Sequence, residues 1–263
     1  MKSRDTRSVT IVKIGGSVLT DKARLKTPRF EAIEAFGREL AEISPALRRR
    51  LILVIGGGSF GNAAAHPAFE AFGHPCSAVH ECLVEWCKLL EDHWRAANVD
   101  CTSFLASSLF RPRQKTLVFC DDPIREALAE GSIPLIFGDL VATPTRTRLV
   151  SSDILPVFIG RKFDVDRVVS LTNVEGVWCE GTVLRDLRKS DRHAICSIAA
   201  HSDFPDSTGG MRLKVMSMFR LAAMGIEGVI CSGYNPTNLR RAVAGEPLPG
   251  TVFKPDALGV LAC

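Results

Sequence analysis

The chain is 263 residues long, with 46% hydrophobic and 24% charged residues, which suits one large or two small α/β domains around a substantial core. Its 33 basic and 29 acidic residues leave a formal charge of +4, too balanced to point to a nucleic-acid partner yet compatible with a small anionic substrate. Nine scattered cysteines without one C-x-x-C spacing read as reduced thiols packed as small apolar groups, and the cluster His74, Cys76, His80, Cys82 fits no standard zinc site.

In chain order, "VTIVKIGG" reads as the first strand. The polar start before it lacks the continuous apolar segment of a signal peptide, so a cytoplasmic protein is expected. "TPRFEAIEAFGRELAEI" predicts a helix with Thr27 as N-cap, Pro28 at the first helical position, and Phe30, Ile33, Phe36, Leu40 and Ile43 as its buried stripe. "LILVIGGG" is the second strand. In "AVHECLVEWCKLLEDHWRAA", Val79, Leu83, Trp86, Leu90 and Trp94 recur at helical steps and predict a long helix facing the sheet. Further strands are expected at "TLVFC", "IPLIFGD", "DRVVSLT" and "GVICSG", with helices at "DPIREALAEG" and "LKVMSMFRLAAMG". No apolar run approaches the roughly 18 residues of a membrane span. The βα alternation predicts an α/β fold with a mainly parallel sheet. A soft change in composition beyond "ATPTRTRL" divides one domain into lobes 9–148 and 149–253.

Gly56, Gly58 and Gly61 satisfy G-x-G-x-x-G, but a dinucleotide site also needs a following strand ending in an acid about twenty residues on. The chain after Gly61 reads as loop and then helix, and no Walker A lysine follows. A different arrangement fits better. Bare-backbone turns end the first two strands, at Lys13–Ser17 and Gly56–Gly61, so in a parallel sheet both lie at the carboxyl edge, where amides and helix amino termini meet anions. A third such turn, "DSTGGMRLK", precedes Lys214. Lys13 stands between apolar residues inside a strand, where an ammonium is costly to bury without purpose. Asp153 could instead cap the helix beginning near Ile154, and Lys22 and Lys214 could be solvated.

Six segments, "VKIGGSVLTDK", "VIGGGSFGN", "IPLIFGDLV", "LVSSDILPVFI", "SLTNVEGVW" and "STGGMRLKV", in this order, resemble the amino acid kinase superfamily, and within it the branch of isopentenyl phosphate and fosfomycin-phosphorylating kinases. The resemblance spans about Val9 to Phe253. It implies a three-layer αβα sandwich, use of ATP and Mg²⁺, and a homodimer or higher homo-oligomer. It further implies transfer of the γ-phosphoryl group to a phosphate or phosphonate, with the acceptor on the first lobe and the nucleotide on the second. By motif, Lys13, Lys22, Asp153 and Lys214 would serve transfer, with Asp153 orienting the lysines. Gly15, Gly16, Ser17, Thr172, Asn173, Gly176, Thr208, Gly209, Gly210 and Lys214 would hold the nucleotide. Gly57, Gly58, Ser59, Gly61, Asn62 and His66 would hold the acceptor.

Two positions depart from the branch. Its glycine loop ends in a histidine where this chain has Asn62, which donates a hydrogen bond without charge; His66 lies four residues on. The nucleotide strand has Asn173 where the family has aspartate. Phosphoryl transfer asks the protein chiefly for positioning and charge neutralisation, and an ionised phosphate acceptor needs no general base. Two alternatives stand beside this reading: a carboxylate kinase forming an acyl phosphate, and a nucleotide-binding protein of the same fold without transfer activity.

Overall fold

A computed structural model describes residues 8–61, 75–114, 116–143, 147–198 and 210–255. The chain opens with β1 (Val9–Ile14), the short α1 (Gly16–Leu19), α2 (Phe30–Ala41) and α3 (Pro45–Arg48). β2 (Leu51–Ile55), α4 (Gly58–Gly61) and the long α5 (Pro75–Ala96) follow. Next come β3 (Cys101–Leu105), α6 (Ala106–Leu109) and a hairpin of β4 (Phe110–Arg113) and β5 (Thr116–Phe119). α7 (Asp122–Glu130) leads to β6 (Ile133–Phe137), then to a second hairpin of β7 (Asp139–Ala142) and β8 (Thr147–Val150). The remainder is α8 (Leu155–Gly160), β9 (Val165–Thr172), β10 (Trp178–Cys179), β11 (Thr182–Val183), β12 (Asp186–Leu187), α9 (Arg192–Ile198), α10 (Gly210–Ala223), β13 (Glu227–Ser232), α11 (Thr237–Ala244) and β14 (Thr251–Phe253).

An eight-stranded sheet in the order β12-β14-β13-β9-β1-β2-β6-β3 forms the middle layer. From β13 to β3 every neighbouring pair is parallel, while β14 runs against β13 and β12 runs with β14. Because side chains alternate across a strand, β1 sends Ile11 to one face and Val12 and Ile14 to the other. The first face packs Ile11, Val54, Ile136, Val168 and Ile230 against α8 and α10, and the second packs Val12, Ile14, Leu53, Ile55 and Leu171 against α2, α5 and α11. Two apolar layers on a doubly covered sheet make the expected αβα sandwich. The proposed lobes share this sheet without a break, since β1 pairs directly with β9.

Three expectations are corrected. α2 begins at Phe30 rather than at Pro28, because Pro28 forms a bridge to Thr20 and the Thr27 amide donates to Ser59 Oγ at 2.9 Å, so both are held before the helix starts. Phe30 therefore projects past the core, 48% exposed, with its ring stacked on His93 at 5.2 Å. "TLVFC" is a strand, yet it pairs only with β4 in a hairpin outside the main sheet.

Candidate functional site

Lys13 is the penultimate residue of β1 and points to the α8–α10 face, where an apolar side chain would otherwise belong. Asp153 reaches it through the β7–β8 hairpin. Pairing of Asp139 with Val150 returns the chain to the carboxyl end of β6, where it closes against Gly138; a Cβ on that glycine would lie 2.6 Å from the Val150 carbonyl oxygen and 2.7 Å from the Ser152 nitrogen. Asp153 emerges from that contact. It does not cap α8, whose N-cap is Ile154 without a side-chain cap.

Lys13 Nζ lies 2.7 Å from Asp153 Oδ1, and Lys214 Nζ, from the early part of α10, lies 2.7 Å from the same oxygen. All three residues are buried, at 3%, 7% and 8% exposure for Lys13, Asp153 and Lys214. Burial lowers the Lys13 ammonium from its ordinary 10.5 to about 8; Asp153 opposes that shift and Lys214 adds to it. Burial pushes Asp153 toward protonation, but the two lysines outweigh it and hold the carboxyl well below the ordinary carboxylate range. Two ammonium groups on one carboxylate leave a local excess of positive charge in a low-dielectric site. Such an excess invites an anion.

The two glycine turns meet, as parallel pairing of β1 and β2 requires. A Cβ on Gly16 would lie 2.2 Å from the Gly58 nitrogen, and one on Gly56 would lie 2.3 Å from the Gly16 nitrogen. Neither position accepts a side chain. Gly58 itself has φ of +52°, a region that disfavours other residues. Thr20 fastens the turns together: its hydroxyl donates to the Gly16 carbonyl at 2.7 Å and accepts from the Ser59 amide at 2.9 Å. The Gly15 amide donates to Leu171 of β9 at 2.8 Å, Ser17 is half-buried in α1, and Gly57 and Gly61 sit at the ends of the α4 turn.

Ser59 is buried, its hydroxyl accepting from the Thr27 amide, so it ties the loop after α1 to the glycine turn. Lys22 lies exposed in the turn of that same loop, whose base closes through the Asp21 amide donating to Thr27 at 2.9 Å. On the second lobe, Thr172 ends β9 buried, Asn173 follows it exposed, and Gly176 packs where a Cβ would be 2.7 Å from Thr251 Oγ1. Gly210 opens α10 with φ of +50°. Asn62, His66, Thr208 and Gly209 lie outside the described residues.

Trp86 lies in the core beside the second glycine turn. It is fully buried, stacked on Phe60 at 4.8 Å, with its indole N–H donating to the Gly56 carbonyl at 3.2 Å. Sequence reasoning overlooked Thr20 and the pairing of Asp139 with His80, whose Nδ1 lies 2.9 Å from Asp139 Oδ2. An acid immediately after the buried "IPLIFG" run was the available signal for Asp139.

Comparison with known proteins agrees with this fold. Residues 8–232 match the model of the amino acid kinase family. An isopentenyl phosphate kinase from Methanocaldococcus jannaschii is 24% identical over 253 residues, which is 90% of this chain and 96% of that protein. A glutamate 5-kinase from Thermotoga maritima is 36% identical, but over 119 residues, 45% of this chain and 32% of that protein. Among solved structures, one of isopentenyl phosphate kinase superposes with a TM-score of 0.75 at 23% identity, covering 94% of this chain and all of the other.

Proposed function

The chain belongs to the amino acid kinase family, and from that premise we propose that it transfers the γ-phosphoryl group of ATP to a small acceptor already carrying a phosphate or phosphonate. The observation that carries the reading is the buried pair Lys13 and Lys214 on one oxygen of Asp153, beside two interlocked glycine turns. An ionised acceptor oxygen attacks the γ-phosphorus, the bond from that phosphorus to the β–γ bridging oxygen breaks, and ADP leaves. Both reactants are anions, so the chain's task is to hold like charges in line and neutralise them. Lys13 and Lys214 supply fixed positive charge, Asp153 fixes their positions, and the amides of Gly16, Gly57 and Gly58 donate to phosphoryl oxygens, the Gly15 amide being spent on Leu171.

The roles extend to the remaining predicted residues by position. Lys22 reaches the acceptor from its turn. Gly210 and the residues before α10, with Thr172 and Asn173 at the end of β9, hold the nucleotide on the 149–253 lobe. Magnesium, carried by the phosphates of the nucleotide, would supply part of the neutralisation of their charge. The site's own share is cationic, Asp153 being engaged by lysines. A cytoplasmic homodimer or higher homo-oligomer is part of the proposal; no helix among the described residues is long and apolar enough to cross a membrane.

A carboxylate acceptor is the second reading, favoured by the glutamate 5-kinase match. Its weakness is one of length: glutamate 5-kinases that align over 94–97% of this chain are themselves covered to only 67–68%, whereas an isopentenyl phosphate kinase aligns over 90% of this chain and 96% of its own. ADP release measured with isopentenyl phosphate, dimethylallyl phosphate, fosfomycin, small phosphonates and carboxylic acids separates the two. Turnover of a phosphate or phosphonate supports the proposal. Trapping of a hydroxamate by hydroxylamine with a carboxylic acid would replace it by the second reading, and ATP binding without turnover of any acceptor by the non-catalytic one.

A further inference from the structure

The Asp139–His80 pair is not used by the mechanism above, and its construction is unusual for a structural contact. The Asp139 side chain is fully buried, while the His80 side chain is 46% exposed. Oδ1 of Asp139 accepts from the Leu140 amide at 2.7 Å and Oδ2 faces His80 Nδ1 at 2.9 Å, so both carboxylate oxygens are engaged. Among the described residues His80 is the side chain that faces this carboxylate. A carboxylate taken wholly out of water to meet a half-exposed imidazole stabilises little by itself. It does fix the ring's orientation and favours a proton on Nδ1, leaving Nε2 as the outward nitrogen.

The pair stands at the same edge as the transfer site. Ile14, Ile55 and Phe137 lie in one register row across β1, β2 and β6, so Gly15, Gly56 and Gly138 share the next row, and Asp139 follows at once. Asp139 also pairs with Val150 at the base of the hairpin that delivers Asp153. α5 lies in the chain between the parallel strands β2 and β3 and runs back to the start of β3, so its early turns lie at their carboxyl ends. One turn beyond His80, Leu83 Cδ2 sits where Cβ atoms on Gly57 and Gly61 would touch it, at 3.3 and 3.7 Å. The helix face bearing His80 and Leu83 therefore abuts the second glycine turn.

We infer that His80, oriented by buried Asp139, binds the acceptor's anionic group through Nε2 beside the second glycine turn. This rests on the phosphoryl-acceptor reading of the site. With a proton on each nitrogen the ring donates to Asp139 through Nδ1 and to the acceptor anion through Nε2, while the lysines attend to the transferring group.

The test is steady-state kinetics with isopentenyl phosphate and ATP for the wild type, His80→Ala, His80→Arg and Asp139→Asn, with thermal unfolding of each. Expected is a rise of tenfold or more in KM for isopentenyl phosphate in His80→Ala, an unchanged KM for ATP, an unchanged melting temperature, and recovery toward wild type in His80→Arg. Asp139→Asn should raise the acceptor KM in the same direction. An acceptor KM unchanged in His80→Ala, with the wild type active, overturns this inference alone. A wild type inactive on every phosphate and phosphonate acceptor, yet active on a carboxylic acid, overturns the functional reading and this inference with it.

Discussion

Gly16 and Gly58 meet backbone to backbone, so closely that a Cβ on the first would fall 2.2 Å from the amide nitrogen of the second. No rotamer relieves that overlap, since the obstacle is main chain. Gly16→Ala should therefore spread the two turns, costing about 1–3 kcal/mol of stability and most of the transfer rate. Denaturant unfolding and ADP release check this; full activity at wild-type stability would show that the turns need not touch.

Thr20 is the fastening between those turns, fully buried and engaged on both its donor and acceptor sides. Thr20→Val keeps the shape but leaves the buried Ser59 amide and Gly16 carbonyl without this partner, a loss of about 1–3 kcal/mol. Thr20→Ser keeps the hydroxyl and should recover most of the activity. Unfolding and kinetics that rank serine no better than valine would place the contribution in the methyl group instead.

How much of this was legible in the sequence depends on the range of the signal. The first two strands, the long helix and its Val79–Trp94 stripe follow from short-range periodicity, and Lys13 stood out because an ammonium is costly among Ile11, Val12 and Ile14. Strand β3 was missed because "CTSFL" forms the sheet's edge, where Cys101 is its fully buried residue and alternation is weak. "TLVFC" had strand character, but strand character does not name a partner. Asp153 and Lys214 are 61 positions apart, and only the order of motifs, not any local spacing, brought them together. Phe30 satisfied the helical stripe and failed because the bridge of Pro28 to Thr20 shortened the helix from its start.

The titration of Lys13 gives opposite trends for rate and stability. Its value in the fold is about 8 against an ordinary 10.5, so between these the unfolded chain binds more protons and this residue's contribution to stability rises with pH. Asp153 has the same direction of slope in the acid range: its depressed carboxyl contributes stability above the ordinary carboxylate range, lost as pH falls through its low folded value. Transfer needs Lys13 charged, so kcat/KM, which reports the free enzyme, should fall through about pH 8 while the protein stays folded. Asp153→Asn removes the group that opposes the Lys13 shift and should move that limb to lower pH, with a loss of about 3–5 kcal/mol in stability from two buried ammonium groups left without their carboxylate. A rate level to pH 9.5 in the wild type, or an unmoved limb in the variant, would take Lys13 out of the rate equation.

The most direct measurement follows ATP and isopentenyl phosphate by phosphorus NMR with wild-type protein and with Lys13→Met, both shown folded by circular dichroism. The wild type should convert the monophosphate resonance into a diphosphate pair as ADP accumulates, and the methionine variant should slow this by roughly 10³-fold, the loss expected when a preorganised charge in a dry site is removed. Diphosphate formed at the wild-type rate by folded Lys13→Met would contradict the central role given to the buried lysine cluster.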